Sequence, residues 1–366
     1  MNVVQAERAA LHARVAQLID RLANGAQDAA ARDALLRDLL RFQRTHVAAF
    51  GRSTASLAGG EPDPLRWPAL PTDVFRFARV ASHDPEQDVR VFRTSGTTAP
   101  ARGLHPLRDL SLYDRAAHAM ARHALFPDRE RMKLVVLAPA AFEAPDSSLS
   151  YMLDRFGAWF GAGEPEYVLC DGALDLARLE QALHAAVRAG QPVALLGTSF
   201  AFVHAEDAFG SARFALPAGS RIMQTGGFKG RTREVAPAEM LRLLAQRFGV
   251  PEPFIVQEYG MTELSSQLYE STLRDAALGR TPGPRRLLAP GWIRVSLVDP
   301  ETLAQVPAGE VGLVRIDDLA NVDSVCAIQT ADRGQAVEDG IVVLGRAAGA
   351  TPRGCSLAID AALGGA

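Results

Sequence analysis

Cysteine is scarce in this chain of 366 residues: Cys170, Cys326 and Cys355 are the three present. An odd number without CxxC spacing excludes a disulfide framework and a cysteine-rich zinc site. An excess of charge of either sign is also lacking. With 39 Lys plus Arg against 42 Asp plus Glu, the formal net charge is −3. That leaves no global attraction for phosphate backbones or anionic membranes and argues against a nucleic-acid partner. Long hydrophobic runs are missing as well. Stretches such as Leu134 to Ala138 are far shorter than the ~20 residues that cross a bilayer. Glu7 and Arg8 stand where a secretory leader would carry its apolar stretch, so no membrane span and a cytoplasmic location are expected. Lysine is the last scarcity. Of the 39 basic residues only Lys133 and Lys229 are lysine, and the other 37 are arginine.

What is present is the composition of a folded globule, 48% hydrophobic and 22% charged, which excludes a disordered chain. The first fifty residues predict two amphipathic helices, one with Leu11, Val15, Leu18 and Leu22 on a face, the next with Leu35, Leu39, Phe42 and His46. Short apolar runs then recur: Leu134 to Ala138, Tyr167 to Cys170, Val193 to Leu196, Arg221 to Gln224 and Phe254 to Gln257. They read as buried strands, with helical patterns such as Leu176, Leu179, Leu183 and Val187 between them. Strand alternating with helix predicts a largely parallel sheet. After Pro282, Gly283 and Pro284 come the shorter segments Trp292 to Val298, Val311 to Ile316, Val325 to Gln329 and Ile341 to Leu344, a smaller β-rich subdomain. The division expected is a helical region over 1–75, an α/β region for nucleotide and acyl substrate over 76–286, and a β-rich subdomain with a terminal cysteine segment over 287–366.

Two segments concentrate chemistry. Phe92-Arg93-Thr94-Ser95-Gly96-Thr97-Thr98 gathers hydroxyls and a glycine, a composition that can wrap phosphate oxygens. Taken alone it reads sooner as a polar surface turn, and it is not a Walker A loop, because no lysine or immediate helix follows. Gln257-Glu258-Tyr259-Gly260-Met261-Thr262-Glu263 follows an apolar strand, so its polar residues fall at a strand's carboxyl end, where open α/β sheets bind ligands. An aromatic face, a hydroxyl and a carboxylate meet there, although Glu263 alone also suits a helix start.

The two segments in this order resemble the large domain of adenylate-forming enzymes, which include acyl-CoA synthetases, luciferases and adenylation domains. Further landmarks match in sequence: Thr225-Gly226-Gly227, Thr330-Ala331-Asp332-Arg333-Gly334 and Gly345-Arg346. The resemblance implies an α/β fold, the large N-terminal domain of that superfamily with parallel sheets and packed helices, plus the β-rich subdomain. It implies ATP and Mg²⁺ as cofactors. Ser95, Gly96, Thr97 and Thr98 would meet the ATP phosphates, Gly226 and Gly227 the adenine side, and Tyr259 the base. Thr262 would face the α-phosphate, Glu263 bind Mg²⁺, and Asp332 and Arg346 hold the ribose.

Two departures stand out. The family's phosphate loop continues Gly-x-Pro-Lys, whereas here Ala99-Pro100-Ala101-Arg102 follows. The sequence given ends twenty residues after Arg346, so the small C-terminal domain with its adenylation lysine is expected to be absent. This layout is similar to the acyl-protein synthetase (LuxE) branch. The branch implies a fatty or other carboxylic acid activated as acyl-AMP, passed to a cysteine near the chain's end and on to an acyl-reductase or carrier-protein partner. Arg353-Gly354-Cys355-Ser356-Leu357 lies in the corresponding place. A thiolate attacks an acyl-adenylate readily, and a flanking cation favours the thiolate. Cys355 is thus the candidate acyl acceptor, with a small structural residue as the alternative, and Cys170 and Cys326 read as structural.

Lys229, inside Gly226-Gly227-Phe228-Lys229-Gly230, is a candidate for the missing lysine or else a loop-surface residue. His105 and Arg108 follow the phosphate loop and suit either substrate contact or a solvated turn. Phe142, Phe200 and Phe202 suit either an acyl channel or the core. Two rival functions remain at this point: transfer to coenzyme A or a carrier protein with Cys355 merely structural, and a non-catalytic nucleotide-binding scaffold.

Overall fold

The computed structural model describes residues 3–55, 61–95, 101–226, 235–347 and 353–363, with the backbone alone over 353–357. The described chain is a mixed α/β structure that divides into two compact units. One comprises 1–119, 261–267 and 288–366, the other 120–260 and 268–287.

The second unit is a parallel sheet with helices packed on it. Strand Lys133–Leu137 pairs with Glu166–Tyr167 on one side and with Val193–Thr198 on the other; Arg221–Thr225 and Ile255–Tyr259 follow, all parallel. Leu268–Glu270 adds an antiparallel partner to Ile255–Tyr259. The near-continuous burial of these strands explains their unbroken apolar runs. Helices Leu176–Ala189, Ser199–Phe209 and Pro237–Phe248 cover the sheet through Leu179, Leu183, Phe202, Leu244 and Phe248. Their ends are set locally. Asp175 accepts from the Arg178 N–H and Thr198 from the Ala201 N–H, while Gly190 and Gly249 close two helices at φ of 64° and 66°.

Two buried arginines staple this unit. Arg221 pairs with Asp128 at 2.8 and 3.2 Å and also donates to the Leu125 and Gly219 carbonyls. Arg247, 1% exposed, pairs with Glu206 at 2.6 and 2.7 Å and donates to the carbonyls of Glu206, Gly210 and Ala212. Glycine is required where strands crowd. A Cβ on Gly197 would lie 2.6 Å from Leu137 Cβ and 2.7 Å from its carbonyl oxygen.

The first unit joins the N-terminal helices to an antiparallel sheet. Strands Ile293–Val298, Val311–Asp318, Ala327–Val337 and Gly340–Arg346 pair in that order, and Leu70–Pro71 lies parallel to Ala327–Val337. The third strand runs well past the Val325 to Gln329 segment legible in the sequence. Its second half is polar on both faces, which conceals it from an apolar pattern. Helices Val3–Leu22 and Ala29–His46 pack together through Leu11, Val15, Leu18, Leu35 and Leu39, all buried. The hairpin Arg90–Arg93 and Leu104–Leu107 projects the hydroxyl segment. Helix Arg353–Leu363, which carries Cys355, packs against helices Ala48–Ser53 and Val74–Phe77 and strand Leu70–Pro71. Arg52 Nε donates to the Ala362 carbonyl at 2.7 Å. Among the described residues, no helix is long and apolar enough to cross a membrane.

Candidate functional site

In the second unit the carboxyl ends of three parallel strands bring polar groups together. Ser199 Oγ, just past Val193–Thr198, donates to the Gly226 carbonyl at 3.0 Å. Thr225 Oγ1 donates to Glu258 on the adjacent strand, its register partner. Gly226 follows with φ of 71°, a conformation that suits glycine. Glu258 is 3% exposed, and burial pushes its carboxyl up to about 7, opposed by the Thr225 bond. Tyr259 ends the strand and is 8% exposed. Gly227 and Lys229 lie outside the described residues.

In the first unit the segment 261–267 is held from below by buried polar side chains. Ser265 N–H and Ser266 Oγ donate to Asp318 at 3.0 and 2.8 Å, Ser265 Oγ to Asn321 at 2.6 Å, and Trp292 Nε1 to Ser266 at 3.0 Å. Asn321 Nδ2 donates to the Glu263 carbonyl at 2.8 Å. From the other side His105 Nδ1 meets the Thr262 carbonyl at 2.6 Å, and Thr262 Oγ1 lies 3.5 Å from the Arg93 carbonyl. Glu263 is buried, and desolvation pushes its carboxyl up to about 7. Its own N–H and the charges of Arg346 and Arg76 pull the other way, and Asp73 adds to the rise. Asp332 and Arg346 are cross-strand partners, with Arg346 Nε 3.5 Å from Asp332 Oδ1. Thr262, Glu263, Asp332 and Arg346 thus belong to one unit, with Arg346 acting on both carboxylates.

The hydroxyl loop is described only at its base. Thr94 N–H donates to the Gly103 carbonyl at 3.0 Å and Gly103 N–H to Thr94 Oγ1 at 2.9 Å. Ser95 is exposed, whereas Gly96, Thr97 and Thr98 lie outside the described residues. Arg102 folds back on this base and donates to the Thr94 and Arg93 carbonyls at 2.6 and 3.3 Å. Among the side residues the sequence reading is corrected at His105 and Phe142. His105 is fully buried rather than at a solvated turn, because Phe75 packs edge-on against it at 6.0 Å. Arg108 lines a separate cavity of about 270 Å³ beside Arg8, His46 and His83. Phe202 is core, while Phe142 is 83% exposed.

Cys326 is fully buried and its thiol is pushed up by desolvation, the reverse of an activated nucleophile. Cys170 sits in the ribbon Leu169–Cys170 and Ala173–Leu174. Cys355 occupies the third position of the terminal helix, and its side chain lies outside the description. Ser199 and Asn321 escaped the sequence reading, and Thr225 entered it only as the first residue of a glycine-rich landmark. The one signal that could have found Ser199 is its place immediately after an apolar strand.

A parallel sheet with polar groups at its strand ends, joined in one chain to an antiparallel subdomain carrying Asp332 and Arg346, has the layout of the large domain of adenylate-forming ligases. The sequence model of the acyl-protein synthetase, LuxE, family matches residues 60–364, and the chain belongs to that family. It is therefore an ATP-dependent adenylate-forming ligase, acting on a carboxylic acid with a protein as acyl acceptor. Among solved structures it is similar to 2-hydroxyisobutyryl-CoA ligase in an open conformation with 2-HIB-AMP and CoA. The identity is 16% over 87% of this chain and 75% of that chain, with a TM-score of 0.61. For the same ligase in its thioester-forming state the figures are 17%, 87%, 69% and 0.61. ATP-bound MatB from Rhodopseudomonas palustris is 16% identical, with 72% of this chain and 49% of that one covered and a TM-score of 0.47; the chain spans about half of that protein. At these identities the likeness is one of fold. No curated protein sequence matches the chain.

Proposed function

We propose that the chain converts a fatty acid and ATP to acyl-AMP and pyrophosphate and then loads the acyl group onto its own Cys355 for delivery to a reductase or carrier protein. The observation that carries the reading is the grouping of Thr262, Glu263, Asp332 and Arg346 in one unit with the cysteine-bearing helix. That helix packs on Val74–Phe77, whose Arg76 acts electrostatically on Glu263.

In this reading an oxygen of the substrate carboxylate attacks the α-phosphorus, and the bond from that phosphorus to the bridging oxygen breaks as pyrophosphate leaves. Ser95, Gly96, Thr97 and Thr98 hold the phosphates, Lys229 supplies a compact cation, and Thr262 orients the α-phosphate. Gly226, Gly227 and Tyr259 receive the adenine, and Asp332 with Arg346 receives the ribose. Catalysis is then mainly positioning and electrostatics. Glu263 suits Mg²⁺. It is a buried carboxylate to which no cation among the described residues is hydrogen-bonded, and no cluster of three ligating side chains exists among those residues. One carboxylate plus substrate phosphates is the usual protein share of a Mg²⁺ site. The ion would neutralise phosphate charge. In the second step the Cys355 thiolate attacks the acyl carbon, a thioester forms, and AMP leaves with the electron pair of the broken C–O bond.

Intact-mass measurement after incubation with ATP, Mg²⁺ and a panel of fatty acids tests this. A single acyl adduct that survives in Lys229→Arg at reduced rate and vanishes in Cys355→Ser is expected. Equal adducts in wild type and Cys355→Ser, or acyl transfer only to added coenzyme A, would refute it.

A further inference from the structure

Two consecutive backbone carbonyls, those of Thr262 and Glu263, are each held by a side chain from elsewhere in the first unit: His105 on one and Asn321 on the other. Asn321 belongs to the dense polar network beneath the segment. His105 does not. It comes from strand Leu104–Leu107, the return strand of the hairpin that bears the hydroxyl loop, where it pairs in register with Phe92. A carbonyl oxygen only accepts, so Nδ1 must carry the proton and donate. Nε2 is then left as a bare lone pair, buried and without a partner. Burial pushes this imidazole down to about 4, so the ring is neutral at physiological pH. Such a ring cannot serve as the general base for a solvated substrate, since its free nitrogen has no route to one.

Its neighbour on the opposite strand completes the grip. Arg93, one residue after Phe92, lies with its carbonyl 3.5 Å from Thr262 Oγ1. Both strands of the hairpin therefore approach one residue, and the loop that leaves this hairpin does so at Thr94 and returns at Gly103. A tether of this kind, with the imidazole itself buried, fixes the distance between the root of the hydroxyl loop and Thr262 better than two independently mobile segments would.

We propose that His105 is a positioning residue for adenylate formation, whose Nδ1–H clamps the Thr262 carbonyl and so sets Thr262 relative to the base of the hydroxyl loop. This rests on the reading that Thr262 faces the α-phosphate. No electron pair or proton is transferred through the ring.

The test is acid-dependent exchange of pyrophosphate into ATP, with kcat corrected for active fraction. His105→Leu removes the donor and should lower kcat about tenfold with a smaller change in KM for ATP. His105→Asn keeps an amide N–H at the position of Nδ1 and should recover to within about threefold of wild type. In a Thr262→Val background His105→Leu should add less than about a twofold loss, because the group being positioned is gone. Equal losses in the Leu and Asn variants, or full additivity with Thr262→Val, would overturn the proposal. Should His105→Leu not fold, ¹⁵N spectra of the histidine rings in the wild-type protein decide. A protonated Nδ1 with a bare Nε2 is expected, and an Nε2–H tautomer refutes the clamp. A wild type that exchanges no pyrophosphate with any acid would overturn the role given to Thr262, and the ring spectrum separates that failure from a failure of the clamp.

Discussion

Replacing Glu258 by glutamine should stabilise the protein by an amount that grows with pH. Glu258 is 3% exposed and accepts one bond from Thr225, and its carboxyl is raised from 4.5 to about 7 by desolvation. Between those values the folded protein keeps a proton that the unfolded chain has released. Wild-type stability therefore falls as pH rises through this window and levels off above it. The rise corresponds to about 3 kcal/mol at full ionisation, at ~1.4 kcal/mol for each tenfold change in proton affinity. Glutamine has nearly the same shape, still accepts from Thr225 and does not titrate. The difference between variant and wild type should be near zero at pH 4 and approach about 3 kcal/mol at pH 8. Other raised carboxyls, Glu263, Glu270 and Asp318, are common to both proteins and cancel. Urea unfolding at pH 4, 5.5, 7 and 8 without nucleotide measures this directly. A difference independent of pH, or a glutamine variant less stable than wild type at pH 8, would show that Glu258 is not a desolvated acid.

Gly197→Ala should destabilise by about 1–3 kcal/mol in the same unfolding assay, since the added carbon meets the Leu137 backbone rather than a movable side-chain tip. Arg247→Ala should cost about 3–5 kcal/mol, because it strands the Glu206 carboxylate and three carbonyls together; a small effect would mean that water replaces the guanidinium. Asp332→Ala should raise KM for ATP with little change in melting temperature, and an unchanged KM would remove Asp332 from the nucleotide. Cys326→Ala should leave acyl loading intact; lost loading with a native melt would make the buried thiol the acceptor.

Much of the second unit was legible because parallel strands buried on both faces must be apolar throughout. The runs beginning at Leu134, Val193, Arg221 and Phe254 each fall on an observed strand to within a residue or two. The pairing of Asp332 with Arg346 was foreshadowed only by motif order, since no local pattern tells that positions fourteen apart sit opposite one another on adjoining strands. The polar interior of the first unit was not legible. Ser265, Asp318 and Asn321 look like loop residues in sequence, and only tertiary burial turns them into a network. His105 was misplaced for the same reason, as a histidine just after a hydroxyl loop suits a solvated turn or a substrate contact until its burial is known.

Gln43 gives this burial a consequence for anyone cutting the chain. Its amide donates to the Asn321 carbonyl at 2.6 Å and accepts from the Cys326 N–H at 2.9 Å, from a helix that precedes the family match at residue 60. A fragment trimmed to the matched region would lose this amide and leave the Asn321 carbonyl and the Cys326 N–H without it, so we expect it to precipitate on expression. The helices ahead of the match share interior hydrogen bonds with residues inside it, so homology boundaries are a poor guide to where this protein can be shortened.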